Sequence, residues 1–332
     1  MLTYISYRLL QMIPLLFVIS VIVFVIIQLP PGDFLTTYVE QLRLSGSDVD
    51  ASTIIQLKAQ YGLDLPLYGQ YWVWIKNIIL HGDLGMSIQW NLPVSEVIGD
   101  RLLLTLLISV ISLILIWIIA IPIGIYSATH QYSWLDYAFS FVGFIGLAIP
   151  GFLIALLLVY FVFNLTGLSV TGLFSPEYEG APWSWGKLLD LLPHMIVPVI
   201  IVGLSGTAAL IRITRGMMLD ELSKQYVITA RAKGVSERRL LFKYPVRLAI
   251  HPLVSTIGWT IPALISGEAI ISIVLNLPTT GPILLKALMV QDMYLAGSFL
   301  LILSVLTVFG TLLSDILLAV VDPRIRFGGT RS

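Results

Sequence analysis

The sequence predicts an all-α integral membrane protein of six transmembrane helices, and three observations carry that expectation. Of its 332 residues, 57% are hydrophobic and only 11% charged, against roughly 25% charged in a soluble globular chain. The apolar residues gather into six runs, each suited to a crossing of about 20 helical residues. The basic residues then sort between alternate loops, as orientation in a membrane requires. A soluble chain this apolar would need a core larger than single domains build. The net charge is zero, which gives no reason to expect a nucleic-acid partner. Cysteine is absent, which removes disulfides, thiolate metal sites and cysteine nucleophiles.

The runs are Leu9 to Leu29, Leu102 to Ile125, Tyr137 to Phe163, Pro193 to Ile211, Pro252 to Leu275 and Ala296 to Val321. The first ends in Gln28-Leu29-Pro30-Pro31-Gly32 without a small-residue cleavage site, so it reads as a retained anchor rather than a secretory signal. An even number of spans puts both termini on one side. Thirteen basic residues share that side: Arg8, nine within 212–251, and Arg324, Arg326 and Arg331. The other side holds six, spread through longer loops. The positive-inside bias therefore predicts cytoplasmic termini and a cytoplasmic 212–251 loop.

The segment 30–101 is too long for a plain connector and should carry structure of its own. Within it, Tyr68, Tyr71, Trp72, Trp74, Ile75, Ile78 and Ile79 predict a helix, either at the headgroup level of the outer membrane face or covering a small core under the loop. No internal repeat or low-complexity tract divides the chain, which reads as a single transmembrane domain over 1–332.

The segment from Tyr226 to Lys243 is polar yet patterned. Helix formers lead to Gly234, a helix-ending residue type, and Ser236 is placed to cap a second, basic helix. Two short helices meeting at a glycine make a compact knob; composition alone would equally allow a loop that only fixes topology.

Thr229-Ala230-Arg231-Ala232-Lys233-Gly234 resembles the "EAA" loop of binding-protein-dependent importer permeases in its oligopeptide-type version, with Pro252 at the expected distance. The same family pattern recurs in Gly62-Leu63-Asp64-Leu65-Pro66, Gly82-Asp83-Leu84-Gly85-Met86-Ser87, Pro93-Val94, Pro122-Ile123-Gly124, Ile149-Pro150-Gly151-Phe152 and Asp322-Pro323-Arg324-Ile325-Arg326. The chain is thus identified as resembling the oligopeptide/dipeptide permeases of ATP-binding-cassette importers. That resemblance implies a type I importer permease fold and one half of a channel in the cytoplasmic membrane of a bacterium or archaeon. It also implies a second homologous permease, two ATPase subunits that hold ATP and Mg, and an extracytoplasmic solute-binding protein. Residues Thr229, Ala230, Arg231, Ala232, Lys233, Gly234, Val235 and Ser236 would then form a coupling helix that docks in a groove of an ATPase. This chain carries no G-x-x-x-x-G-K-[S/T] and is expected to bind no cofactor itself.

Inside the spans, Glu268 is the one ionisable group midway along a run. Its cost demands an inward orientation, and the reading stays open between a pore or gate residue and a structural acid. Pro122, Pro150 and Pro262 either permit bending or are static kinks. Gly203, Ser205, Gly206, Ala208 and Ala209 allow close helix approach in the fourth run. A membrane-embedded enzyme lacks its parts here: the four histidines lie in separate segments, and neither H-E-x-x-H nor G-x-S-x-G occurs. A self-sufficient secondary transporter would need more spans and more buried charge. Where the family often shows Pro-Gly-x-Gly after the fifth span, this chain has Pro278-Thr279-Thr280-Gly281, and the 166–192 loop lacks the usual Leu-Pro entry. Both features keep an oligosaccharide substrate open beside a peptide.

Overall fold

A computed structural model describes residues 2–29, 55, 56, 59, 64–87, 89–167 and 170–321. The acidic stretch from Asp33 to Asp50, the Gly62-Leu63 pair and the terminal Asp322 to Arg326 motif lie outside the described residues. Among the described residues eleven α-helices follow in order: α1 Leu2–Gln28, α2 Leu67–His81, α3 Val94–Thr129, α4 Trp134–Ala148, α5 Gly151–Thr166, α6 Trp185–Leu222, α7 Gln225–Ala232, α8 Glu237–Lys243, α9 Pro245–Val274, α10 Thr280–Met289 and α11 Met293–Val321. Among the described residues the only β feature is an isolated bridge between Met86 and Pro93.

Among the described residues four helices are individually long and apolar enough to cross a membrane, or up to six candidate spans if each of two bent pairs counts as one. The third apolar run carries the sharpest bend. It is two helices, α4 and α5, meeting at 99°. Pro150 causes the break: it has no N–H to donate, and it takes the N-cap position of α5 in extended geometry. The fifth run bends by 57° between Gly258 and Thr260. Pro262 lies four residues beyond Gly258, the separation at which a proline ring crowds a helix carbonyl. Pro122, by contrast, sits within an unbroken α3.

The chain divides into two compact units, one of Met1–Ile5, Thr105–Gly281 and Phe309–Ser332 and the other of Ser6–Leu104 and Pro282–Val308. In the second unit, α2 lies on α1. Tyr71 and Trp74 meet Phe24 with ring centroids 5.5 and 5.7 Å apart, and the Tyr71 and Ser20 hydroxyls are 2.9 Å apart. One face of α2 is therefore covered by α1. The opposite face of α2 leaves Tyr68, Trp72, Ile79 and Leu80 exposed.

The Gly82-to-Ser87 motif is a folded turn in the same unit. Gly85 N–H is held by Asp83 at 2.8 Å, and Val94 N–H returns to the Gly85 carbonyl at 2.9 Å. Gly85 has φ +94° and would drive a Cβ to 2.7 Å from the Tyr294 ring, so both conformation and space require glycine. Buried Asp292 accepts from the Ser87 hydroxyl at 2.5 Å and from Gln89 N–H at 3.1 Å, and at 3.3 Å from Leu295 N–H in the first turn of α11. One carboxylate thus caps a helix and pins the motif to it.

In the first unit α6 is the central element, packed by α4, α5 and α9. Ile116 and Ala120 of α3, Leu210 of α6 and Leu253 of α9 form one apolar cluster. A second joins Ala128, Met218, Val246 and Ala249, with Leu222 and Leu241 against it. α6 runs on well past the expected Pro193 to Ile211 run, so that it reaches the 225–244 segment without interruption.

Candidate functional site

The 225–244 segment is two helices folded on each other. Val227 and Ala230 of α7 and Leu240 of α8 are buried together, with Val235 and Tyr244 against them. Gly234 ends α7 at φ +75°. Its N–H reaches the Arg231 carbonyl at 3.0 Å, and Val235 N–H reaches the Ala230 carbonyl at 3.3 Å. These are the two bonds of a Schellman closure, and the Val235–Ala230 contact is its usual apolar companion. Arg231 bridges the turn to Glu237, Nε to Oε1 at 2.6 Å. The Arg231 hydrogen bond holds the Glu237 carboxyl below its usual range. At the α6 end, Tyr226 hydrogen-bonds Glu221; burial, and then that bond, push the Tyr226 hydroxyl up.

The eight residues expected at the coupling surface separate into two sets. Thr229, Arg231, Ala232, Lys233, Gly234 and Ser236 are exposed, whereas Ala230 is only 8% exposed and Val235 is half-buried. Ala230 and Val235 hold the knob together from inside rather than presenting a surface. Ser236 takes the N-cap position of α8, but its side chain makes no cap bond; its carbonyl accepts Leu240 N–H at 2.9 Å instead. A Cβ on Gly234 would meet nothing within 4 Å, so its requirement for glycine within this chain is conformational.

Glu268 is 1% exposed, and among the described residues neither carboxyl oxygen has a partner of good hydrogen-bond geometry. The Thr105 hydroxyl is the polar group near enough to act on it. It is engaged instead with Thr280, hydroxyl to hydroxyl at 3.0 Å, and accepts Thr280 N–H at 3.0 Å. One helical turn from Thr105 and from Glu268 stand Ser109 and Ser272, both fully buried and, like Thr279, with unsatisfied hydroxyls. Gly281 seals this polar enclave: its Cβ would fall 2.5 Å from the Ala269 Cα. The departure at Pro278-Thr279-Thr280-Gly281 therefore has a structural use, since Thr280 supplies the bond to Thr105.

A cavity of about 330 Å³ opens on another face of the same helices. Its wall includes Ser205, Gly206 and Ala209 of α6, Gly151 at the α4–α5 break, and Thr260 and Gly267 of α9. Part of the small-residue stretch thus borders open space, while Gly203 and Gly206 both lie against Ile116. The hydroxyls of Ser205, Thr256 and Thr260 all bond to backbone carbonyls. Among the described residues no charged side chain lines the cavity, and Glu268 is not part of its wall.

The sequence reading missed one pair. Arg215 donates from Nε and Nη2 to the two oxygens of Asp136, each at 2.9 Å. Asp136 directly precedes the Tyr137 to Phe163 run, and Arg215 is one of the nine basic residues of 212–251; an acid beside an apolar run and a base within a helix are the available clues. Among the described residues no group of three or more His, Cys, Asp or Glu is arranged to hold a metal.

An all-helical chain with four to six spans, an exposed helical knob on a long helix and an uncharged cavity among small residues defines a membrane transport subunit. The chain belongs to the binding-protein-dependent transport system inner membrane components: that family matches residues 120–327, and the family of their N-terminal regions matches 1–110. It is 37% identical to the oligopeptide transport system permease protein AppB of Bacillus subtilis (strain 168), over 98% of this chain and 100% of the relative. It is 34% identical to a putative peptide permease protein of Brucella suis biovar 1, over 98% and 99%. To the glutathione transport system permease protein GsiC of Escherichia coli (strain K12) it is 32% identical, over 98% and 100%. The protein is a multi-pass inner-membrane permease subunit of a binding-protein-dependent importer.

Proposed function

We propose that this chain forms half of the translocation path for peptides, as a single six-span transmembrane domain with both termini in the cytoplasm. The two bent helix pairs each count as one span, which supports six, and the excess of basic residues in 212–251 supports the orientation. The exposed face of α2, with Tyr68 and Trp72, then lies at the outer headgroup level. A second permease completes the path, two ATPases bind ATP and Mg, and an extracytoplasmic binding protein delivers the solute. The relatives are named for oligopeptide, peptide and glutathione transport, which favours peptides over oligosaccharides. An uncharged cavity wall suits solutes of varied side chain, with selection left to the binding protein.

The observation that carries the reading is the α7–α8 knob, whose exposed Thr229, Arg231, Ala232, Lys233, Gly234 and Ser236 are held over a private apolar core. A loop that only fixed topology would need charge but no core. The knob docks in an ATPase groove and turns nucleotide-driven closure into movement of α6 and α9. Glu268 acts as a gate residue: buried and unpartnered, it makes the packing of α3, α9 and the Thr279–Gly281 turn costly in one state and open to exchange for another.

The test is reconstitution of the complete complex in vesicles, with uptake of labelled peptides and oligosaccharides measured in parallel. Peptide uptake that needs ATP and the binding protein is the expected result. Oligosaccharide uptake alone would overturn the substrate, and a stable, transporting homodimer of this chain would overturn the second permease.

A further inference from the structure

We propose that the Asp136–Arg215 pair is a strut that makes α4 a lever between the coupling knob and the wall of the cavity. The proposal rests on the coupling role given to α7 and α8.

The two ends of α4 are held differently. At its start Asp136 is 2% exposed and fully engaged: both oxygens face the Arg215 guanidinium, and one also accepts Tyr132 N–H at 3.0 Å. Ser133 caps the helix through Asp136 N–H at 3.2 Å. A fork-to-fork pair fixes both separation and orientation, which sliding apolar contacts do not. Around Arg215, α6 is gripped on neighbouring positions. A Cβ on Gly124 would fall 2.6 Å from the Thr214 Cβ, and Met218, fully buried, packs with Ala128, Val246 and Ala249. α6 then ends at Leu222, and α7 begins at Gln225. Movement of the knob along or about the α6 axis therefore reaches Asp136 through one continuous helix and one charged joint.

At its other end α4 touches the cavity. Ser205, a wall residue, donates to the Gly146 carbonyl at 3.2 Å, and Gly151, just past the Pro150 break, is itself in the wall. Gly146 lies against Leu204 and Ala208, the nearest atom 3.5 Å from its would-be Cβ, an ordinary contact that can slide. The 15 residues of α4 span about 22 Å at 1.5 Å per residue. A rigid helix, pinned by a bidentate ion pair at one end and lightly held beside a 99° break at the other, is a lever. Asp136 and Arg215 are positioning residues: they touch no solute and act through α4.

The test uses the complete transport complex in vesicles carrying Asp136→Asn, with Arg215→Lys as a second variant. Asparagine keeps one acceptor for Tyr132 but loses the charge and the second oxygen. Four quantities are read: co-purification of the ATPases, basal ATP hydrolysis, solute-stimulated hydrolysis and uptake. The expected result is unchanged co-purification and basal hydrolysis, with stimulated hydrolysis and uptake both down by about tenfold, within the range of one coupling free energy. Asp136→Glu, which can re-form the pair, should recover part of the loss. Wild-type uptake in Asp136→Asn overturns the lever. So does a parallel fall of all four quantities, which makes the pair a stabiliser of the fold only. Failure of the underlying coupling role shows separately, as normal uptake in Gly234→Leu.

Discussion

The 225–244 knob and the Glu268 enclave solve opposite problems with polar residues. In the knob, hydrogen bonds close within six residues along the chain: Val235 to Ala230, Gly234 to Arg231, Arg231 to Glu237. Its charges stay in water, and only Val227, Ala230 and Leu240 are sacrificed to a core. In the enclave the partners come from afar, Thr105 meeting Thr280 across 175 residues, and five oxygens of Glu268, Ser109, Ser272 and Thr279 remain unsatisfied. A region that keeps its shape while another protein pushes on it needs the first kind of construction. A region that exchanges one packing for another is better served by the second, because unsatisfied polar groups lower the cost of leaving the state that strands them.

The sharpest way to break this contrast is at the knob's turn. Gly234→Leu places a side chain at φ +75°, where an L-residue pays about 1–2 kcal/mol, and adds bulk to the exposed ridge. Inserted chain should persist at wild-type levels in membranes, while uptake and solute-stimulated hydrolysis fall by at least about tenfold. Gly234→Asn, which tolerates the left-handed region, should lose much less. If both variants transport like wild type, the knob is a topology signal and the contrast dissolves.

At the enclave, Glu268→Gln keeps volume and replaces an ionisable carboxyl that has no partner among the described residues by an amide. Uptake should fall by about three- to tenfold through altered gating, a shift of roughly 0.7–1.4 kcal/mol, while the amount of assembled complex stays the same or rises. Loss of assembly would make Glu268 a structural acid; unchanged uptake would remove it from the gate.

Gly281→Ala probes the seal rather than the carboxyl. A Cβ placed 2.5 Å from the Ala269 backbone cannot be absorbed by a rotamer change, so overpacking should cost about 1–3 kcal/mol. A lowered unfolding midpoint of the purified chain in detergent is the readout, and an unchanged midpoint would mean that the turn does not press on α9.

The contrast also explains what could be read from the sequence. Gly234 was legible because its reason is local: helix formers before it and a left-handed turn at it. The long apolar helices are legible because lipid imposes length and composition on each span alone. The Pro150 break was foreseen only as a bend or a static kink, since proline marks the place and not the angle. Asp136–Arg215, 79 residues apart, and Ser87–Asp292, 205 apart, left no local pattern. Each acid looks like a loop residue until the fold brings its partner. The cost of an acid in lipid makes Glu268 inward, and it is buried, yet its place outside the cavity wall depends on which neighbour each face of α9 meets, and periodicity does not name neighbours.

The smallest effect expected lies at the Arg231–Glu237 bridge, and it sharpens the contrast by showing how little the knob depends on charge. Both side chains are at least half exposed, so solvent screens the pair. Arg231 lowers the Glu237 pKa, which makes the folded knob the weaker proton binder. The bridge's contribution is therefore present above the unfolded glutamate value of about 4.3 and is lost as pH falls through the lower folded value. Arg231 is shifted upward by the same bond, so its share disappears only at alkaline pH beyond the working range. Between pH 5 and 9 the knob should not respond. Below about pH 4.3, amide exchange at Gly234 and Val235, corrected for its intrinsic pH dependence, should quicken slightly in the wild type and not in Arg231→Gln. Equal acid responses in the two proteins would show that the Schellman bonds and the Val227–Ala230–Leu240 core close this turn without the bridge.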